Sequence, residues 1–293
     1  MQVTERIHAI EIPFKIPVSP DMTVDRFTFV YLILGERIHL IDSGVAGAES
    51  IIWEYIRKQG REPKEISTLI LTHSHPDHIG SAQSVKTQTG CTIFAHKHEQ
   101  DWIENTEQQF KDRPVPGFQT LVEGPVGVDN LVDGGETLEL EKDMICKIIS
   151  TPGHSQGSIS LLFEEEKSLF TADALAFPGD LPIYEDISDC IASITTLQKI
   201  ENVENLFSSW EPPIQGREKI SKRMDESIAY LKRIHTAVIN NSANEKRQDI
   251  MELCQEVVKE LGLPPFAANP LVAKAFASSL AAEQSQKVAQ QLN

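Results

Sequence analysis

Six residues constrain this chain more than any others. Residues 73–78 read His73-Ser74-His75-Pro76-Asp77-His78, with four potential metal-binding side chains among them. Histidine occurs 9 times in 293 residues, so a third of the total stands in this one hexapeptide. In an extended segment, residues i and i+2 point to the same side, so His73 and His75 can grip one ion together. Pro76 redirects the chain, and Asp77 and His78 can then turn toward a second position nearby. Imidazole and carboxylate together suit zinc, iron or manganese. Three histidines in one loop repel one another when charged, and a polar loop capped by Asp77 has no need of them.

The flanking sequence gives the hexapeptide a setting. Ile66 to Leu71 is a short, mostly apolar run that reads as a buried strand leading straight into it. Residues 81–89 read as a short helix and residues 91–95 as the next strand, a β-loop-α-β rhythm that indicates an α/β architecture. Upstream, Ile10, Ile12 and Phe14 alternate as in a strand. Residues 27–42 hold two β-rich runs around Gly35-Glu36, which suits a tight hairpin. Ile51, Ile52, Tyr55 and Ile56 recur at helical spacing before Gly60. Residues 99–110 read as a polar helix. Residues 111–126, with Pro114, Pro116, Gly117, Gly124 and Pro125, read as a surface loop of the length used for binding. From Leu131 to Leu175, short β-type segments separated by turn residues predict a second sheet. His8 and His39 fall in predicted strands and are expected to face solvent. His96 and His98 follow a strand end and are read as having no functional role.

The pattern changes after Pro212-Pro213. Ile220, Met224, Ile228, Leu231, Ile234 and Val238 lie on one helical face. Ile250, Leu253, Val257 and Leu261 mark a second helix. Asn269-Pro270, an N-cap followed by proline at the first helical position, opens a third. The chain therefore divides into an α/β domain over residues 1–216 and an α-helical region over 217–293 that covers or packs on it. The long apolar stripe serves as a packing face, a pocket wall or a dimer interface.

Composition excludes several classes. Lys plus Arg is 27 against 43 Asp plus Glu, a net charge of −16 that repels phosphate backbones and disfavours a nucleic-acid partner. No apolar run approaches the roughly 20 residues that span a bilayer, so no membrane association is expected. Residues 1–11 lack the apolar core of a signal peptide, and the chain is expected in the cytoplasm. Cys91, Cys146, Cys190 and Cys254 form no CxxC pair, which argues for buried thiols rather than a thiolate zinc site.

Two further segments complete the pattern. Thr151-Pro152-Gly153-His154-Ser155 places a histidine in a turn after a strand, and Phe170-Thr171-Ala172-Asp173-Ala174 places an aspartate at a strand end. With Asp42 in the run LIDSG and the HxHxDH hexapeptide, these resemble the motifs of the metallo-beta-lactamase superfamily, in order and spacing, over about residues 5–215. The resemblance implies an αββα four-layer sandwich, two mixed sheets flanked by helices, with two divalent metal ions at one edge. It implies one ion held by His73, His75 and His154, a second held by Asp77 and His78, Asp173 bridging them, and Asp42 steadying the histidine loop. The implied activity is hydrolysis of a small-molecule ester, thioester, lactone or amide by hydroxide generated at the metals, with Asp77 orienting the nucleophile and shuttling its proton. The helical C-terminal region resembles that of glyoxalase II-like thioesterases.

The sequence departs from the family in one place. A further histidine usually follows the strand before the C-terminal segment, and Trp210 stands about where it belongs. Water or substrate fills the gap, or Glu211 or His235 substitutes, or the second site is weak. A weak second site also fits relatives of another chemistry, the persulfide dioxygenases with a single iron, and a non-catalytic sensor or binding protein on the same fold.

Overall fold

The computed structural model describes residues 1–19, 21–242 and 249–291. Its first elements are the strands β1 (Ile7–Ser19) and β2 (Met22–Leu34), a long antiparallel hairpin in which Ile7 pairs with Ile33 and Ser19 with Met22. Pro13 and Pro17 cannot donate to a ladder, and β1 tolerates them because it lies at the sheet's edge. β3 (Ile38–Ile41) follows antiparallel to β2. β4 (Ile66–Leu71), β5 (Thr92–His96) and β6 (Asn130–Val132) then add in parallel, giving the order β1-β2-β3-β4-β5-β6.

One face of this sheet buries Ile10, Ile12, Val30, Leu32, Leu40, Leu69 and Ile93 against a helical layer. That layer includes Ile52 and Trp53 of α1 (Ala48–Lys58), Ile79 of α2 (Pro76–Ile79), Val85 of α3 (Ala82–Thr89) and Ile103 of α4 (Gln100–Glu104). α5 (Thr106–Asp112) follows, and then α6 (Phe118–Leu121), whose Phe118 and Leu121 join the same core. The expected surface loop 111–126 thus contributes anchors to the interior.

The second sheet is built from β7 (Thr137–Glu141), β8 (Met144–Ser150), β9 (Ile159–Phe163), β10 (Ser168–Ala172), β11 (Asn205–Ser208) and β12 (Ile214–Gln215), in the order β12-β11-β10-β9-β8-β7. All neighbours are antiparallel except β10 and β11. The two sheets share a core in which Ile7, Phe29, Tyr31, Ile33 and Ile70 meet Cys146, Ile148, Leu161, Phe163, Phe170 and Phe207. Phe170 stacks on Phe207 with ring centroids 4.5 Å apart, and Tyr31 meets both rings edge-on at 5.2 Å. Such aromatic pairs add about 0.5–1.5 kcal/mol each beyond the area they bury. Two mixed six-stranded sheets flanked by helices are the αββα sandwich that the family resemblance implies.

The chain resolves into two compact units. The sheets and the helices α1 to α6 lie in the first. The second gathers residues 151–156, 173–202 and 216–293. It contains α7 (Ile187–Leu197), α8 (Arg217–Ser242), α9 (Ile250–Leu261) and α10 (Pro270–Gln291), and α8 packs against the other three. The predicted stripe of α8 is buried at Ile220, Met224, Leu231, Ile234 and Val238 and only half-buried at Ile228.

Two expectations are corrected. Asn130–Val132 pairs with β5 in the first sheet, so the second sheet begins only at Thr137. His8 and His39 do not face solvent; they are 3% and 1% exposed. His8 shares a strand face with Ile10 and Ile12, which the helical layer covers, and its Nδ1 lies 2.9 Å from the Tyr55 hydroxyl. His39 lies in a strand whose four residues are all buried, as happens when both faces of a sheet are covered.

Candidate metal centre

The site is assembled around a buried aspartate. Asp42 directly follows β3 with φ of 56°, a left-handed conformation that aspartate tolerates better than most residues. Its backbone N–H donates to Ile70 O at 2.9 Å. Its Oδ1 accepts the backbone N–H of Thr72, and its Oδ2 accepts the Thr72 hydroxyl and His78 Nδ1, all at 2.8 Å. A carboxylate accepts only, so the proton of His78 sits on Nδ1 and leaves Nε2 as the lone-pair atom. The Thr72 hydroxyl has given its one proton to Asp42. It therefore accepts from His73 Nδ1, 3.1 Å away, and His73 Nε2 is likewise basic. One carboxylate fixes the tautomers of two histidines, as outer-shell partners of metal ligands do.

His154 and Asp173 reach the same place from turns after strands. Gly153 takes φ of 124°, and its carbonyl accepts the N–H groups of Glu185 and Asp186 at 2.7 and 3.0 Å. A Cβ on Gly153 would collide with the backbone of Cys190 in α7. His154 Nδ1 donates to Ile183 O at 2.9 Å, so its Nε2 is the lone-pair atom, and it faces Asp173 Oδ2 at 3.3 Å. The register of β10 on β11 shifts between Phe170 and Ala172, and Ala172 has φ of 44°. This bulge turns the chain immediately before Asp173. Bulges commonly re-aim a side chain in this way.

The ligand atoms of His73, His75, His154 and Asp173 all lie within 4.8 Å of one another, and so do those of Asp77, His78 and Asp173. All six predicted residues are therefore brought together, with Asp173 common to both groups. Trp210, Glu211 and His235 belong to neither group. The Trp210 ring lies under the Arg26 guanidinium, 4.3 Å from its centroid, and beside Phe14. Glu211 Oε1 is 3.3 Å from Ser208 Oγ, and His235 Nε2 is 3.8 Å from Glu283 Oε2.

The donor set fits a divalent cation. Basic Nε2 atoms point at carboxylate oxygens: His154 at Asp173, and His78 at Asp77 Oδ2, 3.5 Å away. Lone pairs facing lone pairs repel unless positive charge lies between them. Protonating every imidazole does not supply that charge cheaply, because the His73 ring centroid is 4.0 Å from that of His78 and 4.5 Å from that of His75. Cations shared among the groups satisfy all of them at once.

Sequence reasoning missed Glu99, which is 2% exposed at the entrance to α4. Its Oε2 accepts the N–H and hydroxyl of Ser74 at 2.9 and 2.5 Å, and its Oε1 accepts Gly157 N–H at 2.7 Å. Gln109, fully buried in α5, donates its side-chain amide to Ser74 O.

A family model, that of the metallo-beta-lactamase superfamily, matches residues 23–208. A probable metallo-hydrolase of Methanocaldococcus jannaschii is 30% identical over 205 residues, covering 69% of this chain and 92% of the relative. An atrochrysone carboxyl ACP thioesterase of Aspergillus fumigatus is 29% identical over 175 residues, 59% of this chain and 47% of the relative. In structure, a metallo-beta-lactamase family protein of Thermus thermophilus superposes with a TM-score of 0.75 at 20% identity, over 96% of this chain and 95% of that one. That coverage extends the shared fold into the C-terminal helices. The matched segment spans the hexapeptide, the turn histidine and the strand-end aspartate, and the chain belongs to the metallo-beta-lactamase superfamily.

Proposed function

We propose that the chain is a zinc-dependent hydrolase of a small-molecule acyl compound, with thioesters first, then oxygen esters, lactones and amides. The observation that carries this reading is the convergence of four histidines and two aspartates into two ligand groups sharing Asp173. His73, His75 and His154 with Asp173 would hold one ion, and Asp77 and His78 with Asp173 a second. Divalent ions there supply hydroxide at neutral pH, by lowering the pKa of water to about 7, and electrostatic stabilisation of an oxyanion. Asp77 lies beside His78 with its side chain partly exposed, where a carboxylate can orient a nucleophile, take its proton and pass it to the leaving group. Asp42 and the Ile183 carbonyl keep His78 and His154 in the tautomer that presents Nε2. The thioesterase among its relatives, from Aspergillus fumigatus, favours a thioester over the other carbonyl classes. Four free, buried thiols suit a reducing compartment, and the cytoplasm is the location proposed. Among the described residues no helix is long and apolar enough to cross a membrane.

Elemental analysis of protein purified without added metal, with assays on an acyl thioester, an aryl ester and a lactone, tests this reading. About two zinc ions per chain and thioester turnover abolished by a chelator are expected. One iron per chain with oxygen uptake would replace it with the dioxygenase reading. A chain that takes up no metal on reconstitution would overturn it.

A further inference from the structure

The hexapeptide has a backbone problem that its motif residues do not solve. His73 and His75 project to one side only if Ser74 between them stays extended. The ladders that hold β4 end at Ile70 on the β3 side and at Leu71 on the β5 side. Ser74 is fully buried beyond those ladders, so its N–H and C=O need partners that no strand supplies. Two side chains take the place of the missing strand: Glu99 accepts the N–H and the hydroxyl, and Gln109 donates to the carbonyl.

We propose that Glu99 is a positioning residue of the metal centre, holding Ser74, and through it His73 and His75, in the geometry that grips the ion. The inference rests on the metal-centre reading above. The same carboxylate also spans to Gly157, three residues after His154, through its other oxygen. A Cβ on Gly157 would press against Glu99 and His96, so the close approach requires glycine. One side chain thereby ties two ligand-bearing segments that lie far apart in sequence. The Ser74 N–H, the Ser74 hydroxyl and the Gly157 N–H are all donors, and only a carboxylate offers acceptors at both oxygens. An amide of the same shape would aim an NH2 group at either Ser74 or Gly157.

The test is zinc affinity by competition with a chelator of known strength, on metal-depleted protein. The wild type is compared with Glu99→Gln, Ser74→Ala and Glu141→Gln. Glu141 is a second carboxylate that accepts backbone N–H groups, at Glu36 and Arg37, and belongs to neither ligand group. Glu99→Gln is expected to weaken zinc about 10–100-fold, the range for outer-shell partners of metal ligands, and to alter the visible bands of the cobalt-substituted protein. Ser74→Ala loses the hydroxyl bond to Glu99 and should weaken zinc several-fold. Glu141→Gln should change stability and leave both readouts alone. If Glu99→Gln does not fold, Ser74→Ala decides. Wild-type affinity and an unchanged cobalt spectrum in Glu99→Gln, or in Ser74→Ala where that variant decides, overturns the inference while leaving the metal reading standing. A wild-type chain that binds no zinc fails both, and tight zinc binding without hydrolysis fails only the hydrolase reading.

Discussion

Asp173 is the residue on which both ligand groups depend, since it alone belongs to each. Asp173→Ala should lower the metal content per chain and cut turnover by more than the roughly 10–100-fold that loss of an outer partner costs. Full occupancy and turnover in this variant, measured by elemental analysis and a thioester assay, would refute the assignment. Cys146→Ser provides the contrast. That thiol is fully buried between the sheets, and burial pushes its pKa up, so it behaves as a small apolar group and its loss should leave metal content unchanged. The hexapeptide stood out because its four candidate ligands are local and their spacing has a direct geometric meaning. His154 and Asp173 stood out as candidates only as parts of a family pattern, because a lone turn histidine or strand-end aspartate has many other uses. Glu99 carried no signal at all: its partners lie 25 and 58 positions away, and an acidic residue opening a polar helix looks like any solvated face.

The turns at strand ends aim the candidate ligands, and their strain is local. Gly153 needs a positive φ and closely approaches α7. Gly153→Ala should therefore cost about 1–3 kcal/mol of stability and also weaken metal binding by displacing His154. Gly60→Ala is the control, since φ there is 72° but an added Cβ meets nothing within 4 Å. It should cost about 1 kcal/mol and leave metal affinity intact. Urea unfolding and zinc titration of the two variants separate the cases, and wild-type zinc affinity in Gly153→Ala would show that this turn does not place His154. Periodicity revealed the strands and helices with strong patterns, such as β4 and α8. It could not assign Asn130–Val132 to a sheet, because three residues carry no information about which neighbour they pair with. It also passed over α7, whose start is marked by Asp186 accepting the N–H groups of Ser188 and Asp189.

At the scale of the sandwich, the two sheets are tied at opposite ends of β3. At its C-terminal end, where the metal centre lies, Ile159 N–H donates to Thr72 O and the Tyr31 hydroxyl to Ser208 O. At its N-terminal end Glu141 of the second sheet accepts the backbone N–H groups of Glu36 and Arg37 and lies 3.3 Å from His39 Nε2. Burial lowers the pKa of His39, and the hydrogen bond to Glu141 opposes that shift without cancelling it. The native state therefore refuses a proton that the unfolded chain, with an ordinary pKa of about 6.5, accepts. Stability contributed by neutral His39 is fully present above about pH 6.5. It declines as pH falls toward the lowered native value, by at most about 1.4 kcal/mol per pH unit, and then levels off. His39→Gln keeps a donor for Glu141 and removes the titration. Because other histidines titrate in both proteins, the difference between the urea unfolding free energies of wild type and variant isolates His39. That difference should be constant from pH 8 to 7 and should shift in favour of the variant between pH 6.5 and 5.5. A difference that stays flat across the whole range would mean that His39 is protonated as easily in the sandwich as in water, and that its burial carries no electrostatic cost.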